Sequence, residues 1–328
     1  MTRLRVLVAV ARHGSVTAAA RALNYAQPSV SHHLARLEAE TGARLTQRSG
    51  RGIRLTDAGR LLAGRAEEIL GRLDSAEREL AAYVERREER VRLAGFPASL
   101  ATIVPAALAR LAAAHPGVDI SLAEAEPPEA MRMLRAGQAD VALVFQDARD
   151  GHPVDPSPEE EGTRARLILD EPVYLVTRSA GGGRPDGGRP GGGNPSAGQS
   201  SAGQSSAGLT DLAAHAHDPW IAGCEHSRGH LLWLCEQAGF SPRIAVSTDD
   251  HVAAQALVAA GLGVTILPGL ALHAARHPGI SAQPLAGARR HVLVLTYGEP
   301  PDPPAVERLI EALTLAAAGT GAPARGVR

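Results

Sequence analysis

Between Asp57 and about Glu89 the chain contains no proline, and only Gly59, Gly64 and Gly71 interrupt a run of strong helix formers. Leu62, Ala66, Ile69, Leu73, Ala76, Leu80 and Tyr83 alternate four and three apart, the seam of a two-stranded coiled coil. At 1.5 Å per residue such a helix spans about 45 Å. It divides the chain into a short head and a long body. The same spacing fits an amphipathic helix packed on its own domain. Pairing is favoured because the chain is short of other apolar surface here.

Head and body differ in charge. Residues 1–60 hold ten Arg against Glu38, Glu40 and Asp57, a net +7, while the remaining 268 hold 24 Arg against 32 acids, a net −8. The formal total of −1 hides this asymmetry. A cationic head on an acidic body points to a polyanion partner at one end. Every basic residue other than His is Arg, which reads as base composition of the gene rather than as function. Two Cys in 328 residues argue against a disulfide scaffold and fit a reducing compartment. The opening MTRLRVLVAVARHGSV is too short in its apolar run, and too charged at Arg5 and Arg12, for a signal peptide or membrane span. A soluble, cytoplasmic protein without membrane attachment is expected.

In the head, Leu4, Leu7, Val8 and Ala11 predict a helix over 2–12. GSVT breaks it, and Thr17 can cap a second helix, AAARALN. A third helix has Pro28 in its opening turn, carries Val30, Leu34 and Leu37 on one face, and stops near Gly42. ARLTQRSGRGIRLTDAG then reads as strand, Gly-Arg-Gly turn, strand and a Thr56 cap for the long helix. Three helices and a basic hairpin make a winged helix-turn-helix over 1–57, with a linker helix over 58–89.

VRLAGF at 91–96 opens an α/β alternation. A helix over 100–114, strand VDISLAEA, a helix over 129–136 and strand DVALVF come first. VYLVT, WIAG, a helix through RGHLLWLCEQAG, RIAVS, helix HVAAQALVAAG, GVTILP and HVLVLTY follow, then a last helix over about 304–317. This predicts an α/β body over 90–318 with mostly parallel sheets and helices on both faces, arranged as two lobes joined by crossing strands. Residues 179–208, where SAGQS repeats in tandem, cannot bury enough apolar surface to order and read as a flexible insertion. Residues 319–328 read as a frayed tail.

Catalytic patterns are sparse. GLGVTILPG runs helix to strand, the reverse of a dinucleotide fingerprint, and no Ser/His/Asp arrangement or paired acids stand out. No enzyme activity and no cofactor are expected. Cys224, His226, His230 and Cys235 form C-x-H-x3-H-x4-C, which fits no standard zinc spacing, so no metal is assigned. A solute-binding protein would account for two lobes but leaves the basic head unexplained.

Residues 15–59, SVTAAARALNYAQPSVSHHLARLEAETGARLTQRSGRGIRLTDAG, closely resemble the winged helix-turn-helix of LysR-type transcriptional regulators. The Ala-Ala pair after Thr17, QPSVS, RLE, GARL and R-x-GRG-x-RLT-x-AG fall in that family's order. The likeness continues through AGFPASLATIVPAALARLAAAHPGVDISL, LRAGQADVALV and ALVAAGLGVTILP. It implies a sequence-specific regulator with a dimerising linker helix and a two-lobed effector domain similar to periplasmic binding proteins. The implied partners are double-stranded DNA with an inverted-repeat operator, a small-molecule effector between the lobes, RNA polymerase, and further copies in a homodimer or homotetramer.

With Val30, Leu34 and Leu37 facing the core, a 100° step puts Pro28, Ser29, His32 and Arg36 on the opposite face, toward a major groove. Arg36 can bond guanine in bidentate fashion, and Ser29 and Ser31 can meet bases or phosphate. Gln27 suits an adenine edge or a phosphate, and Thr17 and His33 complete the expected helical contacts. His32 departs from the family, where a longer basic or amide side chain is common, and reads as a neutral donor or as merely solvent-facing. In the wing, Arg51 is expected in or near a minor groove, Arg48 on the backbone, and Arg54 beside them.

The family's effector positions match Ala98, Ser99, Leu100 and Thr102, then Phe145, then Gly223, Cys224 and Ser227, then Thr248. Helix N-termini there favour a carboxylate or other anion. Ser99 and Thr248 also read as simple N-caps. Peroxide-sensing relatives place a cysteine pair in this region. Cys235 matches their second cysteine, but their first matches His226, so cysteine redox sensing is the alternative and a core role for Cys235 is favoured.

Overall fold

The computed structural model describes residues 1–49, 52–85, 89–148, 162–179 and 211–320. In chain order the head contains α1 (Thr2–His13), α2 (Val16–Ala22), α3 (Gln27–Thr41), β1 (Thr46–Ser49), β2 (Gly52–Leu55) and α4 (Asp57–Glu85). There follow β3 (Glu89–Gly95), α5 (Pro97–Ala101), α6 (Ile103–Ala114), β4 (Val118–Glu124), α7 (Pro127–Arg135), β5 (Val141–Ala148) and β6 (Thr163–Arg178). The remainder is β7 (Pro219–Ala222), α8 (Glu225–Gln237), β8 (Arg243–Ser247), α9 (His251–Ala259), β9 (Thr265–Pro268), α10 (Gly269–Ala274), β10 (Ile280–Tyr297) and α11 (Pro304–Thr320). Apart from Ser179, the 179–208 insertion lies outside the described residues, and so does the tail beyond Thr320. Gly319 and Thr320, assigned from sequence to that tail, are the last residues of α11.

The chain divides into two compact units, Met1–Ala94 with Gly117–Ala142, and Gly95–Pro116 with Leu143–Arg328. The first is built around a small core in which Val6, Leu7 and Val10 of α1 meet Ala19 and Ala20 of α2 and Val30, Leu34 and Leu37 of α3. Left-handed glycines end two of these helices, Gly14 at φ 66° and Gly42 at φ 68°, a conformation that costs residues with a Cβ. The α2 cap is Ser15, whose hydroxyl accepts from the Ala18 N–H at 3.0 Å. Thr17 therefore sits in the first turn of α2, exposed, and is not its cap. Thr56 does cap α4, accepting from the Gly59 N–H at 3.0 Å.

The long helix divides its expected seam. Ala63, Ala66 and Leu70 turn inward, with Val8 of α1 against Ala66 and Leu70, so Ala66 serves the chain's own packing rather than a seam. Ion pairs Arg12–Glu67 and Arg5–Asp74 flank that contact. Ile69, Leu73 and Leu80 are 50%, 36% and 64% exposed, spaced four and seven apart on one face. The Tyr83 side chain lies outside the described residues. Also in this unit, β3 lies between β4 and the opening residues of β5.

In the second unit β10 lies between β5 and β6, with β9 on the far side of β6. β6 and β10 pair antiparallel from Thr163↔Tyr297 to Arg178↔Ile280, and β9 is antiparallel to β6, whereas β7 and β8 are parallel. The sheet is thus mixed, not mostly parallel. Alternating strands and helices disclose which faces are buried, but not the direction of each neighbour. β6 also starts ten residues before VYLVT because its first half is only partly buried and reads as polar. The helix expected over 100–114 breaks at Thr102, where φ is −128° and ψ −74°, into α5 and α6. The core here gathers Val173, Leu175, Trp220, Leu231 and Leu234 on one side and Val176, Ile221, Val258 and Leu267 on the other.

Candidate functional site

The head presents α3 with two unlike faces. Val30, Leu34 and Leu37 are buried, and Gln27, Pro28, Ser29, Ser31, His32 and Arg36 are exposed. Pro28, which has no N–H to satisfy, lies in the first turn after an Ala26 N-cap whose side chain makes no bond, and the Ser29 N–H donates to the Ala26 carbonyl at 3.0 Å. His33 is half-buried, its ring 6.0 Å from that of Tyr25. The Arg36 guanidinium stays 62% exposed, with its Nε only 3.6 Å from Glu40.

The one other acid on this helix faces inward. Glu38 Oε1 accepts from the Leu45 N–H at 2.8 Å, the Thr46 N–H at 2.9 Å and the Thr46 hydroxyl at 3.0 Å, tying α3 to the first strand of the wing. Burial pushes its carboxyl up, but those hydrogen bonds and Arg44 outweigh it and hold the group below the usual glutamate range. Sequence reasoning noted only that acid is scarce on this helix. The wing pairs Arg48 with Ile53 and Gln47 with Arg54. The Arg54 side chain is exposed, whereas Arg51 and the side chain of Arg48 lie outside the described residues.

The second unit holds a cavity of about 540 Å³, its mouth included. Asp147, Ser227, His230, Thr248, His251, Thr265 and Arg290 form its polar wall, and Val173, Ile221, Leu231 and Leu267 much of its apolar one. Asp147, His230 and Arg290 are buried, with Asp147 Oδ2 at 3.8 Å from His230 Nδ1. Arg290 Nε donates to Glu171 Oε1 at 2.7 Å, and its guanidinium lies 4.5 Å from the centre of the Phe145 ring and 5.2 Å from that of Phe96. Burial first, and the Arg290 charge second, hold the His251 imidazole below its usual range against the pull of Asp250 and Asp249, so it is neutral near pH 7.

Of the expected effector positions, Gly223, Ser227 and Thr248 line this cavity, and Ala98, Ser99, Leu100, Thr102, Phe145 and Cys224 do not. Ser99 is fully buried with its hydroxyl donating to the Phe96 carbonyl at 2.7 Å, and Thr102 donates to Ala98 at 2.6 Å. Ser99 lies inside α5, whose N-cap is Phe96, so Ser99 is not an N-cap either. Thr248 accepts from the Asp250 N–H at 3.2 Å, while the cap of α9 is Asp250. Asp147, His251 and Arg290 were not singled out from the sequence, and His230 was weighed there only as a metal ligand, because the four come from separate strands and helices and no local spacing relates them.

A family profile described as a bacterial regulatory helix-turn-helix protein of the lysR family matches residues 1–60, and another described as the LysR substrate binding domain matches 85–185 and 201–318. The chain belongs to the LysR family. Among relatives of this LysR-type regulator, TcbR of Pseudomonas sp. (strain P51) is 29% identical over 314 residues, 94% of this chain and 96% of its own. TfdS of Cupriavidus pinatubonensis is 30% identical over 301 residues, 90% and 91% of the two chains. The crystal structure of full-length CbnR complexed with its target DNA shares the fold at a TM-score of 0.59 and 24% identity, covering 96% of this chain and 99% of that one. As a LysR-type regulator the protein binds DNA through its helix-turn-helix domain and an effector through its substrate-binding domain.

A full-length OxyR variant from Pseudomonas aeruginosa also shares the LysR fold, at a TM-score of 0.57 and 20% identity, covering 96% of this chain and 94% of that one. In this regulator, however, Cys235 is fully buried and burial pushes its thiol up to about 12, which removes the thiolate that oxidation requires. Cys235 packs in the Trp220 core. Cys224 is half-buried with its Sγ 3.4 Å from the Ser227 hydroxyl, and the His226 side chain lies outside the described residues.

Proposed function

We propose that this LysR-type regulator reads an inverted-repeat operator by laying the Ser29–His32–Arg36 face of α3 in the major groove. The exposed face of that helix, cationic and free of acid from Gln27 to Arg36 while its apolar face is buried, is the observation that carries the reading. Arg36 and Gln27 have the reach for base edges, and Ser29, Ser31 and His32 the donors for bases or phosphate. Pro28, Thr17 and His33 border the same surface, and the positive end of the α3 dipole would favour a phosphate there. Arg54 and Arg48 would follow the backbone and Arg51 the minor groove.

Residues 1–57 are the reading domain, 58–89 the linker and 90–318 the effector domain in this proposal. Ile69, Leu73 and Leu80 form the surface on which a second copy pairs, placing two reading heads on two half-sites. The assembly is a homodimer or homotetramer that acts in the cytoplasm on RNA polymerase, is not an enzyme, and responds to an effector held by Gly223, Ser227 and Thr248. Among the described residues no helix is long and apolar enough to cross a membrane.

The test is selection of bound duplexes from a random pool by full-length protein. A two-fold inverted repeat with half-sites about one or two helical turns apart is expected. Recovery of duplexes without any common sequence would refute the reading.

A further inference from the structure

The turn between α2 and α3 fixes an aromatic side chain at the border of the reading face. α2 closes on a left-handed residue, Asn24 at φ 55°. The Asn24 N–H donates to the Arg21 carbonyl at 3.2 Å and the Tyr25 N–H to the Ala20 carbonyl at 2.8 Å. These are the two bonds of a Schellman stop, in which the residue at the Tyr25 position commonly packs an apolar side chain back on the helix it ends. Tyr25 instead stays 43% exposed. Its ring stands 6.0 Å from that of His33, and the His33 ring 6.1 Å from that of the exposed His32. Three rings thus run from the turn onto the exposed face of α3.

The backbone bonds of the turn and the neighbouring His33 ring place the phenol before any DNA arrives, so little freedom is lost when its hydroxyl finds an acceptor. Among the described residues that hydroxyl has no acceptor. The surroundings favour an anionic one. No Asp or Glu occurs in the chain before Glu38, and Glu38 is turned to Leu45 and Thr46 of the wing. Tyr25 also stands two residues ahead of Gln27, at the end of α3 where the helix dipole is positive. A phenol that donates to a phosphate oxygen makes a charge-assisted bond, stronger than one between neutral groups.

We propose that Tyr25 is a further DNA contact, its hydroxyl donating to a phosphate at the edge of each half-site. The proposal rests on α3 being the reading helix. Base edges lie before Ser29, His32 and Arg36, and the backbone passes the flank where Tyr25 and His33 stand. A phenol carries no charge, so this contact adds grip without sequence preference and without releasing a counterion.

The test compares full-length wild type with Tyr25→Phe on the selected operator and on a scrambled duplex, at several salt concentrations. Phenylalanine keeps the ring beside His33 and the backbone bond to Ala20, and removes only the hydroxyl. Affinity lower by roughly 10–100-fold on both duplexes, with an unchanged salt slope, supports the proposal. Single methylphosphonates placed along the operator locate the contact. At one phosphate of each half-site the substitution should cost wild type more than it costs Tyr25→Phe, and elsewhere it should cost both alike. Equal affinities of wild type and Tyr25→Phe overturn the proposal, whether or not Tyr25→Ala binds weakly through loss of the ring. A loss confined to the operator also overturns it, since the hydroxyl would then meet a base. Selection of duplexes without any common sequence overturns the reading helix instead. Tyr25→Phe against wild type on the scrambled duplex then still decides whether the hydroxyl meets a phosphate.

Discussion

Glu171 and Arg290 face each other across the β6–β10 ladder at 2.7 Å, each side chain 4% exposed. Two charges removed from water gain little net stability from their pairing, but either left alone is costly. Glu171 has a second duty, since its other oxygen receives the Leu270 amide that opens α10. Glu171→Gln is therefore expected to destabilise the protein by about 3–5 kcal/mol, and Glu171→Leu with Arg290→Met to recover most of it. Denaturant midpoints of wild type, single and double variants check this. Equal midpoints for wild type and Glu171→Gln would show that the pair is not desolvated.

Glu38 makes the stability of the head depend on pH. A carboxyl held below its ordinary value in the folded state binds fewer protons there than when unfolded. Its contribution is complete above the unfolded value and disappears as pH falls through the folded one. Glu38→Ala is expected to lower stability by about 1.5–3 kcal/mol at pH 7, the range for hydrogen bonds to a charged acceptor. Melting curves from neutral to strongly acidic pH should show the two proteins converging toward the acid end. A constant gap at every pH would mean that lost packing, not the charge, accounts for the difference.

What was legible in the sequence follows from what each residue records locally. Val30, Leu34, Leu37 and Leu45 are all buried as their spacing requires, and Gly42 ends α3 as its missing Cβ allows. A short helical domain settles its packing over a few turns, so periodicity suffices. Ala66 shows where it stops sufficing. Its position fits a pairing seam and an intramolecular contact equally, and only the placement of α1 makes it the latter. Residues of the cavity were harder still. Gly223, Ser227 and Thr248 came from family likeness, while Asp147 on β5 and Arg290 on β10 line one cavity because those strands are neighbours in the sheet, which no local pattern discloses.

Gly71 and Gly64 lie on the same helix in opposite circumstances. A methyl on Gly71 would overlap the carbonyl oxygen of Ala136, just beyond α7, whereas one on Gly64 meets nothing within 4 Å. Removing a helical glycine gains about 0.5–1 kcal/mol where space allows. Gly64→Ala should thus raise the melting temperature and Gly71→Ala lower it, with overpacking of about 1–3 kcal/mol against rigid backbone. Equal shifts in both variants would show that α4 does not rest on the Ala136 carbonyl in solution.

Ile69, Leu73 and Leu80 stand out from a helix whose other side is already covered by α1. Apolar residues at this spacing bury themselves by pairing with a second helix. Ile69→Glu with Leu73→Glu is expected to turn the proposed dimer into monomer and to reduce operator affinity by at least about tenfold, since one head then binds one half-site. Analytical ultracentrifugation reads the mass and a gel shift the affinity. An unchanged mass in the double variant removes this face from the assembly.

Arg36 decides whether α3 reads sequence or only holds phosphate. Its Nε is 3.6 Å from Glu40, and Arg3 approaches the same carboxylate more closely, at 2.9 Å. An exposed pair of this kind is worth about 0–1 kcal/mol, so the guanidinium leaves it readily for a guanine edge. Arg36→Ala should cost about 1–3 kcal/mol on the selected operator and much less on a scrambled duplex. Binding isotherms at several salt concentrations separate the two roles, because loss of a phosphate contact flattens the salt slope on both duplexes alike. Should the variant weaken operator and scrambled duplex by the same factor, Arg36 grips the backbone and recognition passes to Gln27, Ser29 and His32.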